Sequence, residues 1–178
     1  MATFVGFWVD RLGNPVTRKW GGEVTEQTQE RVTIDGGVAV GVDNSASSMR
    51  ALAVAAEEAV RRGAVLHIVR AWSMRTTPLP KDWPTGTVPS LEQYEEMVRT
   101  ETEQLLADKI GNEPGCEVRM HVVHSPSPQA LLSASRGADL LVVGHRGRGG
   151  FSGLMLGSVA EQCVRHAACP VLVVRPSI

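Results

Sequence analysis

The chain has 178 residues, of which 43% are hydrophobic and 21% charged, and its formal net charge is -1. This composition predicts one globular domain with a sizeable core, and the near balance of charge gives no general attraction to nucleic acid, so we expect no nucleic-acid partner. Because the sequence has no apolar run of about 18 residues and no secretory signal pattern, we expect a cytoplasmic protein without a membrane partner.

The first 35 residues differ in pattern from the rest of the chain. They contain two tryptophans, a turn signal in RLGNP (residues 11–15) and a polar stretch, and a glycine pair, Gly36 and Gly37, follows them. We therefore separate an N-terminal extension of unknown role, residues 1–35, from a main domain, residues 36–178. The extension is either a small appended ribbon or a segment without chemistry.

From Gly37 onward, apolar runs of strand length alternate with segments of helical periodicity. The predicted strands are GVAVGVD (37–43), AVLHIVRAW (64–72), CEVRMHVVH (116–124), ADLLVVG (138–144) and CPVLVVRP (169–176). The predicted helices cover 45–63, 91–111, 127–137 and 158–167. This alternation, with strands apolar on both faces, predicts an α/β fold: a doubly wound, open five-stranded parallel sheet of order 3-2-1-4-5 with helices on both faces.

A proline-rich segment, residues 73–90, follows the second predicted strand and is too broken for regular structure. A loop of this length is either functional or disordered. In the functional interpretation the segment folds over a bound base, with Trp72 or Trp83 shielding that base.

The cysteines and histidines show no metal-binding pattern. Cys116, Cys163 and Cys169 are an odd number without CxxC spacing, which argues against a disulfide framework and a thiolate metal centre. We predict that they are reduced and packed as small apolar side chains. The histidines lack spacings such as HExxH, so we predict no metal ligands among them.

Ligands of a doubly wound sheet bind beyond the carboxyl ends of the strands, where the strand order reverses. In the predicted order this point lies between the first and fourth strands, which end at Asp43 and Gly144. We therefore expect these two residues to face each other across one cleft. Asp43 also fits a simpler role, in which it caps the next helix or stabilises the turn.

Glycines are concentrated between the fourth strand and the last helix. Backbone N–H groups and a helix N-terminus hold a phosphate well only where no Cβ atom keeps the ligand away. Arg146 and Arg148 lie in this loop and can pair with phosphate oxygens, while Ser158 either contacts the phosphate or caps its own helix. The alternative is a mobile surface loop with exposed arginines. The loop matches neither GxxxxGK[ST] nor the dinucleotide-binding fingerprint.

Gly144, Gly147, Gly157 and Ser158 complete the pattern G-x2-G-x9-G-[ST]. In this pattern the sequence resembles the universal stress protein family, whose nucleotide-binding members carry it. The resemblance extends from VGVDNSASSMRAL to HAACPVLVVR, that is, over residues 38–175. It implies an adenine nucleotide alpha hydrolase-like fold and ATP as the ligand, with Mg²⁺ carried on the phosphates.

The family resemblance also implies a role for each matching position. Asp43 would lie near the adenine and ribose, and Ile68 would line the adenine pocket. The ribose and phosphates would be held by Gly144, Gly147, Gly157 and Ser158, with the wall completed by Arg146, Arg148 and Val159. His124 stands where the family often has a glycine, and a bulkier side chain there would narrow the cleft or contact the ligand.

The function implied by the resemblance is that of an ATP-binding, nucleotide-dependent stress-response regulator. The glycine loop has no obvious base beside it, so we expect at most slow ATP hydrolysis. The family commonly dimerises through its last strand, and the apolar edge strand here predicts a homodimer. Two alternatives stay open: an ATP-hydrolysing or phosphoryl-transferring enzyme, and a dimeric interaction module that binds cyclic AMP or no nucleotide.

Overall fold

The fold is built around one parallel sheet with helices on both faces. The computed structural model describes residues 8–9, 15–16, 31–74, 77, 79, 83–84, 86–111, 114–147 and 156–175. Its elements are β1 (Trp8–Val9), β2 (Pro15–Val16), β3 (Val38–Gly41), α1 (Ala46–Arg62), β4 (Leu66–Trp72), α2 (Leu91–Ile110), β5 (Val118–His124), α3 (Ser127–Ala134), β6 (Leu140–Gly144), α4 (Ser158–His166) and β7 (Val171–Val174).

The main sheet has the order β5-β4-β3-β6-β7, and every neighbouring pair is parallel. Counted from β3, this is the predicted order 3-2-1-4-5, so the predicted fold class is confirmed. In the central register Val40 lies between Ile68 of β4 and Val142 of β6, and all three side chains are fully buried. The strand order reverses between β3 and β6, as expected, while all five strands run in the same direction.

The two faces of the sheet are covered by different helices. Alternate residues such as Val38 and Val40 pack against α1 and α2, whereas Ala39 and Val69 pack against α3 and α4. Strands buried on both faces explain why these segments are almost continuously apolar. None of the described helices is both long enough and apolar enough to cross a membrane.

The helices begin and end at residues that the sequence marks. The side chain of Ser45 accepts a hydrogen bond from the Ser48 amide at the start of α1, and Gly63 ends that helix in the left-handed conformation with φ 61°. α2 begins with a capping box in which Ser90 and Gln93 bond each other's backbone amides. The predicted boundaries of α1 and α2 therefore agree with the observed ones within one residue, whereas α3 ends at Ala134, three residues before its predicted end.

Part of the N-terminal extension is described. β1 and β2 pair antiparallel, with Trp8 opposite Val16, and so form the hairpin that the turn signal suggested. Val32 and Ile34 are buried against the α3 face of the main domain, and the Ser133 hydroxyl donates a 2.9 Å hydrogen bond to the Val32 carbonyl. The last residues of the extension therefore contribute to the core.

All three cysteines are free thiols, and Cys163 is fully buried in α4. Burial, with a smaller contribution from nearby Cys169, raises the pKa of the Cys163 thiol to about 11. Burial also raises the pKa values of Cys116 and Cys169. Little thiolate therefore forms at neutral pH, and these side chains act as packing groups.

His67 on β4 and His121 on β5 form a pair under the α3 face of the sheet. Nδ1 of His67 lies 2.9 Å from Nε2 of His121, and the stacked rings have centroids 5.2 Å apart. Burial lowers both pKa values, and the neighbouring charges of His67 and Arg119 help to lower that of His121 to about 4. The folded protein therefore holds both rings neutral at physiological pH.

We expect the free energy of unfolding to fall as the pH drops from about 6.5 to about 4. In the unfolded chain His121 takes up its proton near 6.5, whereas in the folded chain it does so only near 4, so acid stabilises the unfolded state. The loss attributable to His121 is about 3 kcal/mol at most. Urea unfolding at several pH values measures it.

His121→Gln is expected to flatten this pH dependence, because it removes the group that must stay neutral. The matched control is His166→Gln, which removes an exposed histidine at the end of α4 and should retain the wild-type dependence. An unchanged pH dependence in His121→Gln would contradict the assignment to this pair.

Candidate functional site

A cleft opens at the carboxyl ends of β3, β4 and β6, where the strand order reverses. It has a volume of ≈ 480 Å³ and is closed on the sides by α3, the turn after β6 and the start of α4. Its lining brings together the predicted residues Asp43, Gly144, Arg146, Gly147, Gly157, Ser158 and Val159.

Two predicted site residues are not in this lining. Ile68 is fully buried on the other face of the sheet, in the core formed with α1 and α2. Since side chains alternate along a strand, its neighbour Val69 and then Ala71 line the cleft instead. Arg148 lies outside the described residues, as do the glycines of the intervening loop.

Gly144 allows the end of β6 to touch the start of α1. A Cβ atom on Gly144 would lie 2.6 Å from the Ser47 hydroxyl oxygen and 2.8 Å from the Ser47 carbonyl carbon, closer than atoms can pack. The next residue fixes the turn: His145 Nδ1 lies 2.8 Å from the Ser47 hydroxyl, and its amide donates to the Val174 carbonyl over 2.9 Å. The turn is thereby attached to α1 and β7.

Gly147 and Gly157 bring the two ends of the glycine loop together. A Cβ atom on Gly147 would lie 2.6 Å from Oδ2 of Asp43, and one on Gly157 would lie 3.2 Å from the Arg146 Cα atom. The Gly157 amide donates a 2.7 Å hydrogen bond to the His145 carbonyl. The loop is therefore closed at its base, and bare backbone faces Asp43.

Asp43 serves both of the roles that the sequence left open. Oδ1 accepts a 3.0 Å hydrogen bond from the Ser45 amide, and the Asp43 amide donates to the Ser48 hydroxyl over 3.2 Å. These bonds stabilise the turn between β3 and α1. Oδ2 is the oxygen nearest to Gly147, so the same carboxylate also borders the cleft.

The N-terminus of α4 lies at the cleft without a side-chain cap. Gly157 is its N-cap residue, and no side chain bonds the amides of the first turn. Ser158 is exposed and does not cap its own helix, because it follows the N-cap residue and makes no capping hydrogen bond. Uncapped amides and the positive end of the helix dipole are typical of an anion-binding site.

The structure changes two expectations about the rim of the cleft. His124 does not line it: its ring packs 4.6 Å from that of Trp72, and it borders a second cavity of ≈ 520 Å³ with Arg31 and Arg136. Trp72 is 1% exposed and stacks on Tyr94, so its predicted role as a shield is wrong.

The proline-rich segment reaches the cleft at Thr77. Arg70, which is absent from the predicted site residues, also borders the cleft and is only 5% exposed. An arginine within the apolar strand LHIVRAW is the signal that would have identified it, because a buried charge requires a partner or a purpose.

Comparison with known proteins identifies the family. A sequence profile described as Universal stress protein family matches residues 37–175. The chain belongs to the universal stress protein family. A universal stress protein of Mycobacterium tuberculosis is 37% identical over 141 residues, which cover 79% of this chain and 46% of that protein. The chain thus spans less than half the length of the curated relatives it matches.

Solved structures of universal stress proteins share the fold. One from Burkholderia pseudomallei is 30% identical, has a TM-score of 0.54, and is matched over 77% of this chain and 93% of its own. Another, solved in complex with cAMP, is 24% identical with a TM-score of 0.55, over 85% of this chain and 100% of that chain. At that identity the second likeness shows the fold alone.

Across the described parts of the chain, no three His, Cys, Asp or Glu side chains lie together as candidate metal ligands. Among the residues that the structure describes, the charged groups lining the cleft are Asp43, Arg70 and Arg146. One carboxylate among arginines, next to bare backbone amides, suits a ligand that carries both hydroxyl donors and an anionic tail.

We expect Gly144→Ala to destabilise the protein by about 1–3 kcal/mol, because its Cβ would overlap the backbone at Ser47. Urea unfolding measures the loss. Gly157→Ala is the comparison variant: its Cβ meets nothing closer than 3.2 Å, so it should lose less. Equal stability of Gly144→Ala and wild type would show that β6 and α1 move apart without cost.

Proposed function

We propose that this universal stress protein binds ATP in the cleft and acts as a cytoplasmic, nucleotide-dependent regulator of a stress response. The observation that carries the proposal is the backbone cradle. Gly144, Gly147 and Gly157 stand where added Cβ atoms would meet neighbouring atoms at 2.6 Å, 2.6 Å and 3.2 Å, and they match the family's nucleotide pattern. A site that excludes side chains at Gly144 and Gly147, and leaves little room for one at Gly157, favours close approach of a phosphate chain to backbone amides.

Each part of ATP has a matching part of the cleft. The carboxylate of Asp43 is an acceptor for ribose hydroxyls, and Val69 and Ala71 offer an apolar wall to the base in place of Ile68. The uncapped start of α4, with the Ser158 hydroxyl and Arg146, suits the phosphates. Mg²⁺ would arrive on the phosphate oxygens, which it prefers to protein side chains.

Cyclic AMP is the main competing ligand, since a structure of the same fold was solved with cAMP. The arginines of the glycine loop, Arg146 and Arg148, favour a polyphosphate tail over a single cyclic phosphate, because each additional charge-assisted hydrogen bond adds affinity. The binding test must therefore distinguish an ATP-binding protein from an interaction module that binds cyclic AMP or no nucleotide.

A regulatory role fits the cleft better than rapid catalysis. Glu161, the acidic residue in the first turn of α4, is exposed and pairs with Arg165 at 2.8 Å. It is thus engaged on the helix surface rather than placed to activate a water molecule. We therefore propose at most slow ATP hydrolysis, with binding itself shifting the conformation or assembly of the protein.

We also propose that the protein forms a homodimer through β7. Within the described residues β7 pairs on one side only, with β6, and its four side chains are all partly exposed. An apolar edge strand of this kind tends to pair with a second copy or to be covered.

ATP at 100 times its dissociation constant is expected to stabilise the wild type by about 2.7 kcal/mol and to raise the melting temperature. Gly157→Val should lose this shift, because its side chain enters the space beside Arg146. The fold should survive, since the backbone of Gly157, φ -76° and ψ 158°, is accessible to valine. Thermal shift with ATP, ADP and cyclic AMP measures both effects.

The control for this series is Val164→Ala, an exposed position on the same helix, which should bind like the wild type. Mass spectrometry of the gently purified protein identifies any nucleotide that it retains. If no nucleotide raises the melting temperature and none is retained, the proposal fails; a shift with cyclic AMP alone would favour the interaction module.

We expect Val173→Pro to convert the dimer to a monomer. The carbonyls of Pro170 and Val174 accept hydrogen bonds from the Leu141 and His145 amides on the β6 side. Because successive residues of a strand direct their backbone groups to opposite sides, the Val173 amide points to the free edge. Proline at this position removes that donor without breaking a hydrogen bond to β6. Analytical ultracentrifugation measures the mass, with Val173→Ala as the control that keeps the amide. A dimer that persists in Val173→Pro would place the interface elsewhere.

A further inference from the structure

The turn that carries Asp43 is held on both sides by one carboxylate of α2, Glu101. Its Oε1 accepts a 2.5 Å hydrogen bond from Nδ2 of Asn44, the residue after Asp43. Its Oε2 pairs with Nη2 of Arg70 at 3.2 Å. Nη1 of Arg70 donates in turn to the carbonyl of Val42, the residue before Asp43, over 3.4 Å.

The clamp formed by Glu101, Asn44 and Arg70 has few other hydrogen bonds to hold it. The Arg70 side chain is 6% exposed, and its Nε atom has no hydrogen-bond partner. The Oδ1 atom of Asn44 is also buried without a partner. Glu101 is therefore the polar side chain on which both Arg70 and Asn44 depend.

The backbone of the turn explains why it needs holding. Asn44 has φ 69°, in the left-handed region that residues other than glycine seldom adopt, and among the described residues it alone combines a positive φ with a side chain. A buried arginine is likewise stable only while its charge is compensated. Removing Glu101 releases both constraints at once, and they flank Asp43 directly.

We infer that Glu101 is a positioning residue for nucleotide binding, acting through Asn44 and Arg70 to orient Asp43. The clamp keeps Oδ2 of Asp43 towards Gly147 and the cleft, where the carboxylate accepts the ribose hydroxyls. This inference rests on the proposed function and extends it to a helix that contributes no residue to the glycine pattern. It also makes the preference for a hydroxylated ribose depend on α2.

The test compares ATP with 2′,3′-dideoxy-ATP, which lacks the hydroxyls that Asp43 would bind. Isothermal titration gives both dissociation constants for the wild type, Glu101→Ala and Glu101→Gln. In Glu101→Ala the constant for ATP is expected to rise about tenfold, as for loss of a charge-assisted hydrogen bond, while that for the dideoxy ligand stays within about twofold. The preference for ATP is thereby lost.

Glu95→Ala is the matched control. It removes another glutamate of α2 that pairs with an arginine, Arg99 at 3.3 Å, but does not touch the turn of Asp43. Its preference for ATP should equal that of the wild type. A general loosening of α2 would weaken both ligands by the same factor, so the ratio separates positioning from stability.

Glu101→Gln keeps an acceptor for Asn44 but loses the charge, and about a threefold loss of ATP affinity is expected. If circular dichroism shows that Glu101→Ala does not fold, Glu101→Gln replaces it in the comparison of ATP with the dideoxy ligand. A wild type that binds no ATP refutes the proposed function and this inference together. Three other outcomes would overturn the inference alone. The wild type could bind ATP without preferring it to the dideoxy ligand, the Glu101 variants could keep the preference, or they could lose affinity for both ligands equally.

Discussion

The absence of side chains at Gly144 and Gly147 is the constraint on which the site depends. Gly144 lets β6 end against α1, and Gly147 brings bare backbone to Asp43. A Cβ atom on Gly144 would push β6 away from α1, and one on Gly147 would collide with the Asp43 carboxylate. The cleft therefore follows from close backbone packing, and its shape is maintained by the same contacts that hold the fold together.

Polar side chains fix the two turns that border the cleft. His145 attaches the turn after β6 to Ser47, while Arg70 and Glu101 hold the turn after β3 from below. Both attachments are made to helices of the same face, α1 and α2, whereas the cleft itself is bordered by α3 and α4. The helices on one face of the sheet thus hold the turns that carry the site residues, and the helices on the other face form the walls of the cleft.

The sequence was informative wherever a local rule applied. Caps and apolar runs predict the elements, because each depends on neighbouring residues. The general topology of doubly wound sheets extends that prediction to the strand order and to a cleft lined by both Asp43 and Gly144. Which face a strand residue occupies depends on packing against distant helices, so Ile68 was expected in the cleft where Val69 lies. For the same reason Trp72 was expected over the base, although it is stacked in the core.

The hydrogen bond from the Gly157 amide to the His145 carbonyl has a consequence for how this protein can diversify. A loop whose two ends are joined independently of its contents loses stability only slowly as it lengthens, by about 0.6 kcal/mol for each doubling. The free energy of folding is therefore expected to depend only weakly on the length of the segment that joins His145 to Gly157. The sheet and the base of this loop form a frame whose stability is set separately from the chemistry of that segment.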